Sequence, residues 1–519
     1  MPGGRPGTVP PMSAASSTGP VVIAIDAGTT GVRAFVVDES GVPLARCYRE
    51  FTQHFPRPGW VEHDPLEIWD TTLAVLGEAV GQVGRPVAAL GITDQRETVV
   101  AWDRRTGEPR HRAIVWQDRR TAARCEELVA HGELPRIRDL TGLVLDPYFS
   151  ASKMEWLLTE GGVQVDEHLA LGTIDSWLLW KLTGGAVHAT DPSNAARTML
   201  YDIRSGEWSA ELCELFGVPM AALGEVRPSV GEFGVTASDV PVGADVPVAG
   251  IAGDQQAALF GQACLHPGMA KNTYGTGSFV LMNVGERCPD PTDGLLTTVA
   301  WQVPAAVLGQ GGTGTVTHYA LEGAIFVTGA AVQWLRDGLG IIDDAAEVGP
   351  LAESVDDTAG VVIVPAFTGL GAPYWDPYAR GTVLGITRGA GRAHLARAVV
   401  ESMTYQTRDV VDAMTGASGT PLGELRVDGG ASAMGILLQL QADQLGVPVA
   451  RAAIAETTAL GAAFLAGLGA GVWATAEEVS AAWASDARVS PSPDRDQADV
   501  LYGQWRRAVD RSLDWARPD

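Results

Sequence analysis

The sequence predicts an α/β protein of two domains, each built on a hairpin whose turn is made of glycine and threonine. Three observations carry this expectation. Segments with strand and helix patterns alternate from residue 20 onward. The stretch VVIAIDAGTTGVRAFVVD (21–38) has a late echo in NTYGTGSFVLMNV (272–284), so two Gly-Thr turns, at Gly28 and Gly275, each lead into an apolar strand. The length of 519 residues leaves each half room for a core of its own. We place the halves at residues 20–264 and 265–519, parted near LHPG, and expect residues 1–19, rich in Gly, Pro and Ser, to be a disordered tail.

In chain order, residues 21–25 and 33–37 read as the first hairpin, and 88–92 and 99–102 as the next strands. Residues 246–251 read as a strand running into a helix at Asp254. In the second half, 279–283, 360–364 and 425–427 are strand-like. Apolar residues at 395, 398, 399, 403, 410, 411 and 414 predict a helix over 393–414. ALGAAFLAGLGAGVW (459–473) reads as a buried, tightly packed helix. It is too short and too rich in small residues to span a membrane.

Composition narrows the function. With 46% hydrophobic and 19% charged residues, the chain resembles an ordinary soluble globular protein. A net charge of −25 speaks against nucleic-acid binding but is compatible with a local pocket for phosphate. Five cysteines without CxxC spacing suit a reducing cytoplasm and give no structural metal site, and nine histidines without HExxH speak against zinc catalysis. Residues 1–19 lack the apolar core of a signal peptide. The expectation is a cytoplasmic protein with no membrane insertion.

Several motifs admit two readings from the residues alone. The two Gly-Thr turns are either plain hairpin turns or cradles that offer N–H groups and hydroxyls to a polyphosphate. Asp26, at a strand end, could hold the Mg²⁺ that accompanies ATP. Asp254 is either a helix cap or a carboxylate at the strand's carboxyl end, where α/β proteins place ligands. Arg96 and Glu97 in ITDQRETVVAWD form either a surface turn or a polar pair aimed at hydroxyls. VDGGASAM (427–434) is a strand, a Gly-Gly turn and a helix start, which lets a nucleotide approach the backbone. No lysine follows a glycine, which excludes a Walker-type loop. The GxGxxG at Gly309, Gly311 and Gly314 runs into an extended segment, so it reads as a flexible loop and not as a dinucleotide fingerprint.

Longer strings settle which family the chain resembles. GWVEHDPLEIW, GITDQRET, IAGDQQAALFGQ, GMAKNTYGTGSF and LRVDGGA, with the signature-like YFSASKMEWLLTE and GTVLGITRGAGRAHLARAVVE, are similar to the FGGY carbohydrate kinases from about residue 20 to 515. The resemblance implies two actin-like, ribonuclease-H-like ATPase domains with ATP and a polyol in the cleft between them. Residues 20–264 would be the substrate- and phosphate-binding domain and 265–519 the nucleotide-binding domain.

The reaction implied is ATP-dependent, Mg²⁺-assisted phosphorylation of glycerol to sn-glycerol 3-phosphate. By the same resemblance Asp254 is the general base, and Asp26 with Asp254 attends the metal. Arg96, Glu97, Tyr148, Asp254 and Gln255 match glycerol contacts, and Trp116 and Phe279 match aromatic walls. Gly28, Thr29, Thr30, Arg33, Thr276 and Gly277 match ATP-phosphate contacts, with Gly430 and Met434 beside the adenosine. A homo-oligomer, dimer or tetramer, is implied as well. Departures cluster on the nucleotide side: Ala27, Gly31, Val32, Met434 and Gly435 replace polar residues usual in relatives, and Asp94 stands where Asn is usual. Two alternatives stay open at this point. One is a kinase for another small polyol or ketose; the other is a nucleotide-switched actin-like binding protein.

Overall fold

Two β-sheets of one plan organise the chain, which a computed structural model describes over residues 19–493 and 495–517. The tail expected at 1–19 therefore lies, but for Gly19, outside the described residues. The first sheet holds β1 (Val21–Ala27), β2 (Gly31–Val37), β3 (Pro43–Glu50), β4 (Val87–Asp94), β5 (Val230–Val235) and β6 (Pro247–Gly253), in the order β5-β6-β4-β1-β2-β3. The second holds β7 (Met269–Tyr274), β8 (Ser278–Gly285), β9 (Leu296–Pro304), β10 (Thr315–Ile325), β11 (Glu424–Gly429), β12 (Val449–Ala452) and β13 (Ser485–Val489). Their order is β9-β10-β8-β7-β11-β12-β13.

In each sheet three antiparallel strands (β3-β2-β1 and β10-β8-β7) are continued by two parallel ones (β4 and β6; β11 and β12). An antiparallel strand, β5 or β13, closes the same edge of both, and β9 is the one addition. The two Gly-Thr turns occupy equivalent hairpins, β1–β2 and β7–β8. The parallel strands end level with one another: Ala27 and Gly253 both lie opposite Asp94. Ligands in such sheets collect beyond the carboxyl ends of the strands.

The expected elements form, although 360–364 shortens to Val362–Val364 and the long helix extends to Arg392–Ser418. The GxGxxG segment is a loop followed by β10, with no helix after it. No described helix is long and apolar enough to cross a membrane.

The apolar helix Thr457–Gly469 explains how the two halves are joined. It follows a strand of the second sheet yet packs on β1, β4 and β6 of the first. Buried along it, Ala459, Leu460, Phe464 and Leu465 cluster with Leu259, Phe260, Leu281 and Trp301 from both halves. It crosses the helix Asp254–Gly261 at Gly461, where a Cβ would collide with the Ala257 carbonyl. Glycine there lets two backbones touch, which fixes the height of the helix that begins at Asp254.

Candidate active site

The first Gly-Thr turn, residues 28–30, is held from beneath by a polar relay. Gln95 Nε2 donates to the Gly28 carbonyl at 3.0 Å, and Gln53 Nε2 donates to the Thr29 carbonyl at 2.9 Å. Between them, His63 Nε2 lies 2.7 Å from Gln53 Oε1, and its Nδ1 lies 3.3 Å from Gln95 Nε2. Since that amide nitrogen can only donate, Nδ1 accepts and Nε2 carries the proton. Burial pushes the His63 pKa down to about 4, with His54 nearby adding to the effect, so the ring is neutral. On the cleft side, Trp116 Nε1 donates to Thr29 Oγ1 at 2.9 Å, and Thr30 Oγ1 meets the Tyr48 hydroxyl at 3.1 Å. A Cβ at Gly31 would strike the Tyr48 ring and the Arg49 carbonyl, which accounts for glycine in place of a polar residue.

Asp26, next to last in β1, lies beside this turn and pairs with Arg33 at 2.9 Å. Burial raises its carboxyl to about 6, opposed by Arg33 and assisted by the carboxylate of Asp254. Asp94, at the end of the neighbouring strand, is fully buried. Its Oδ2 accepts from the Asp175 amide at 3.3 Å, while Oδ1 has no partner. Burial and the nearby Asp175 and Asp254 raise its pKa well above the usual carboxylate range.

Arg96 is the hub of the site. Its Nε lies 3.2 Å from Asp254 Oδ1 and 3.7 Å from Glu97 Oε1. Both Nη atoms reach Glu322, at 2.6 and 3.1 Å. Nη1 also meets Gln256 at 3.2 Å, and Nη2 reaches the Tyr148 hydroxyl at 3.4 Å. Arg197 completes the cluster, donating to Glu97 at 2.7 Å and to Glu322 at 3.1 Å. Burial alone would push the Glu322 carboxyl up, but Arg197 and Arg96 overcome it and hold it at about 2. Buried charges persist only when paired and hydrogen-bonded, and here Glu97 and Glu322 each meet both guanidiniums.

These groups open onto one small cavity of about 50 Å³, lined by Thr29, Arg96, Glu97, Trp116, Tyr148, Asp254, Gln255 and Phe279. The Trp116 and Tyr148 rings meet edge to face, 5.5 Å apart. The cavity shares Trp116, Tyr148, Gln255 and Phe279 with a cleft of about 1090 Å³, which the second turn, Gly275, Thr276 and Gly277, lines from the opposite half. Lys271 bridges the two sides: its Nζ donates to Gln255 Oε1 at 2.5 Å and to Thr273 Oγ1 at 3.1 Å. An ammonium only donates, so the Gln255 atom it meets is the oxygen, and the amide NH₂ is the end left for another partner.

The structure thus brings together all seven residues expected to hold substrate. Thr29 lines the same cavity, and Thr276 and Gly277 line the adjoining cleft. Gly28 and Thr30 of the first turn, and Asp26 and Arg33 beside it, do not line the cavity. Gly430 is exposed after β11, at the start of a short 3-10 turn, and Met434 precedes the helix Gly435–Leu445 and packs near Gly349. Sequence reasoning missed Glu322, Arg197, Gln256 and Lys271. Glu322 left a signal, being a lone acid in the apolar run YALEGAIF.

Two sheets of like topology facing across a cleft, each with a hairpin turn beside strand-end polar groups, define the actin-like class of two-domain phosphotransferases. The FGGY family of carbohydrate kinases matches twice, its N-terminal domain over residues 21–261 and its C-terminal domain over 270–470. The chain belongs to the FGGY family of carbohydrate kinases. It is 52% identical over 503 residues to glycerol kinase 2 of Thermotoga maritima, covering 96% of this chain and 99% of that protein. To glycerol kinase of Citrifermentans bemidjiense it is 54% identical over 503 residues, with 96% and 99% covered. The crystal structure of Plasmodium falciparum glycerol kinase with ADP superposes with a TM-score of 0.89 at 34% identity, over 95% of this chain and 98% of that one.

Proposed function

We propose that the chain transfers the γ-phosphoryl group of ATP to glycerol, giving sn-glycerol 3-phosphate and ADP. The observation that carries this is the convergence of Arg96, Glu97, Asp254 and Gln255 with three aromatic side chains on one small cavity at the floor of the cleft. A volume of roughly 10–15 Å³ accommodates one water in such a cavity. At about 50 Å³, this one suits a three-carbon polyol.

Arg96 and the Gln255 amide donate to the glycerol oxygens, while Glu97 and Asp254 accept from its hydroxyls. Hydrogen bonds to charged groups, worth about 1.5–3 kcal/mol each, give a ligand of this size its affinity. Trp116, Tyr148 and Phe279 cover the carbon skeleton and keep water from the reacting hydroxyl. Asp254 takes the proton of that hydroxyl as its oxygen attacks phosphorus. Gly28, Thr29, Thr30 and Arg33 on one side, and Thr276 and Gly277 on the other, receive the phosphates; Gly430 and Met434 lie on the adenosine side. Asp26 and Asp254 form a carboxylate pair in a partly dry site, a donor set that fits Mg²⁺. That ion, when bound, would neutralise phosphate charge. The boundary between the domains falls after residue 264, and the protein acts as a cytoplasmic homo-oligomer.

The test is coupled ADP release with glycerol, xylulose, erythritol and dihydroxyacetone at equal concentration. Glycerol is expected to give the highest kcat/KM. A larger value for xylulose would move the assignment to another FGGY substrate, and turnover of none would contradict a kinase.

A further inference from the structure

The chain contains three lysines among 37 cationic residues, and one of them, Lys153, is fully buried where the proposed reaction does not use it. It sits in the first turn of the helix Ser150–Thr159 and reaches back to the loop before that helix. Its Nζ donates to three successive carbonyls, those of Pro147 at 2.9 Å, Tyr148 at 2.6 Å and Phe149 at 2.8 Å. Burial lowers the Lys153 pKa to about 7, but three carbonyl dipoles aimed at one point call for three N–H donors there, which favours the protonated form. An ammonium has three N–H groups in the matching tripod, whereas a planar guanidinium fork does not.

The middle residue of this cradle is Tyr148, whose ring walls the small cavity and whose hydroxyl meets Arg96. The same short segment is tied down at both ends. Asp146 accepts from the Tyr148 amide at 2.8 Å, and Ser150 Oγ donates to the Glu97 carbonyl at 3.1 Å. The geometry points to Lys153 as a positioning residue for glycerol: by gathering three carbonyls it sets where the Tyr148 ring stands, and so fixes one wall of the substrate cavity. The inference rests on the glycerol reading for its kinetic consequence, but not for its structural one.

The loss of the ammonium leaves three buried acceptors unsatisfied and frees the loop. The test is a double-mutant cycle of Lys153→Met and Tyr148→Ala, read as KM for glycerol and for ATP, together with amide hydrogen exchange over residues 146–149 without substrate. Lys153→Met is expected to raise the glycerol KM by about tenfold or more while the ATP KM stays within about twofold, and to do far less once Tyr148 is already alanine. Exchange over 146–149 should quicken in Lys153→Met. A lysine that merely supports the fold would lower the melting temperature, shift both KM values together and leave the cycle additive, and that result overturns the proposal. If Lys153→Met does not fold, Lys153→Gln, with two N–H groups, is run through the same cycle. If the wild type does not turn over glycerol, the substrate reading fails, and exchange still decides for Lys153: unchanged rates over 146–149 would sink it.

Discussion

Glu322 of β10 grips both Nη atoms of Arg96 across 226 residues of sequence, at 2.6 and 3.1 Å, joining the second sheet to the turn after β4. Arg197 shares the same carboxylate. Breaking a buried pair by neutralising one partner typically costs about 3–5 kcal/mol, because the other charge stays buried without compensation. Asp254 and Glu97 still face the arginines, so Glu322→Gln is expected to lose up to about that much stability in urea unfolding and to lower glycerol turnover as Arg96 loses its tightest partner. A variant as stable as wild type would show that the arginines find other partners.

Arg96→Ala should separate the two substrates. Its guanidinium lines the small cavity and not the two Gly-Thr turns, so kcat/KM for glycerol should fall by at least about tenfold, from a loss of about 1.5–3 kcal/mol. The KM for ATP should move much less. Equal changes for both would assign Arg96 to the fold alone.

His63 makes stability depend on pH in a stated direction. The folded protein holds the ring at about 4 against 6.5 for the ordinary group, so between those values the unfolded chain binds the proton that the folded one refuses. The contribution is intact above about pH 6.5 and is lost as pH falls toward about 4, by roughly 3 kcal/mol in all. Asp26, raised to about 6, works in the opposite direction over this range, and His188, held at about 4, in the same one. The His63 term is therefore read as the difference between wild type and His63→Gln in urea unfolding: wild type should lose ground to the variant as pH falls. An unchanged slope in that variant would place the ring's titration elsewhere.

Gly461→Ala tests the helix crossing. The added methyl would press on the Ala257 carbonyl in the helix that begins at Asp254. Overpacking of this kind costs about 1–3 kcal/mol and shifts backbone. A lower melting temperature with reduced kcat is the expected outcome; unaltered values for both would mean that the crossing is looser than it stands here.

Much of this site was legible in the sequence because its residues cluster at strand ends. Asp26, Thr29, Arg96, Glu97 and Asp254 each sit where an apolar run stops at a polar turn, a local pattern that needs no partner to be noticed. Arg197 and Lys271 gain their meaning only from contacts between distant segments, which periodicity does not report, and Glu322, though a lone acid in an apolar run, shows its partners only there. The helix Thr457–Gly469 was readable as buried from its composition. That it packs on the first sheet was not, since an all-apolar helix has no face to mark its partner. Tyr48 explains Gly31 only once β2 and β3 are paired.

The account stands most directly on Asp254 as the base that takes the glycerol proton. Asp254→Asn keeps the side chain's shape and some of its hydrogen bonding but cannot accept that proton, and loss of a general base typically costs about 10²–10⁴-fold in rate. Single-turnover phosphorylation of glycerol by saturating ATP, with glycerol affinity measured alongside, separates chemistry from binding. The expected result is a rate lowered by about that factor with glycerol still bound at reduced affinity. A rate near wild type would contradict the account and leave Asp254 as the first residue of a helix and nothing more.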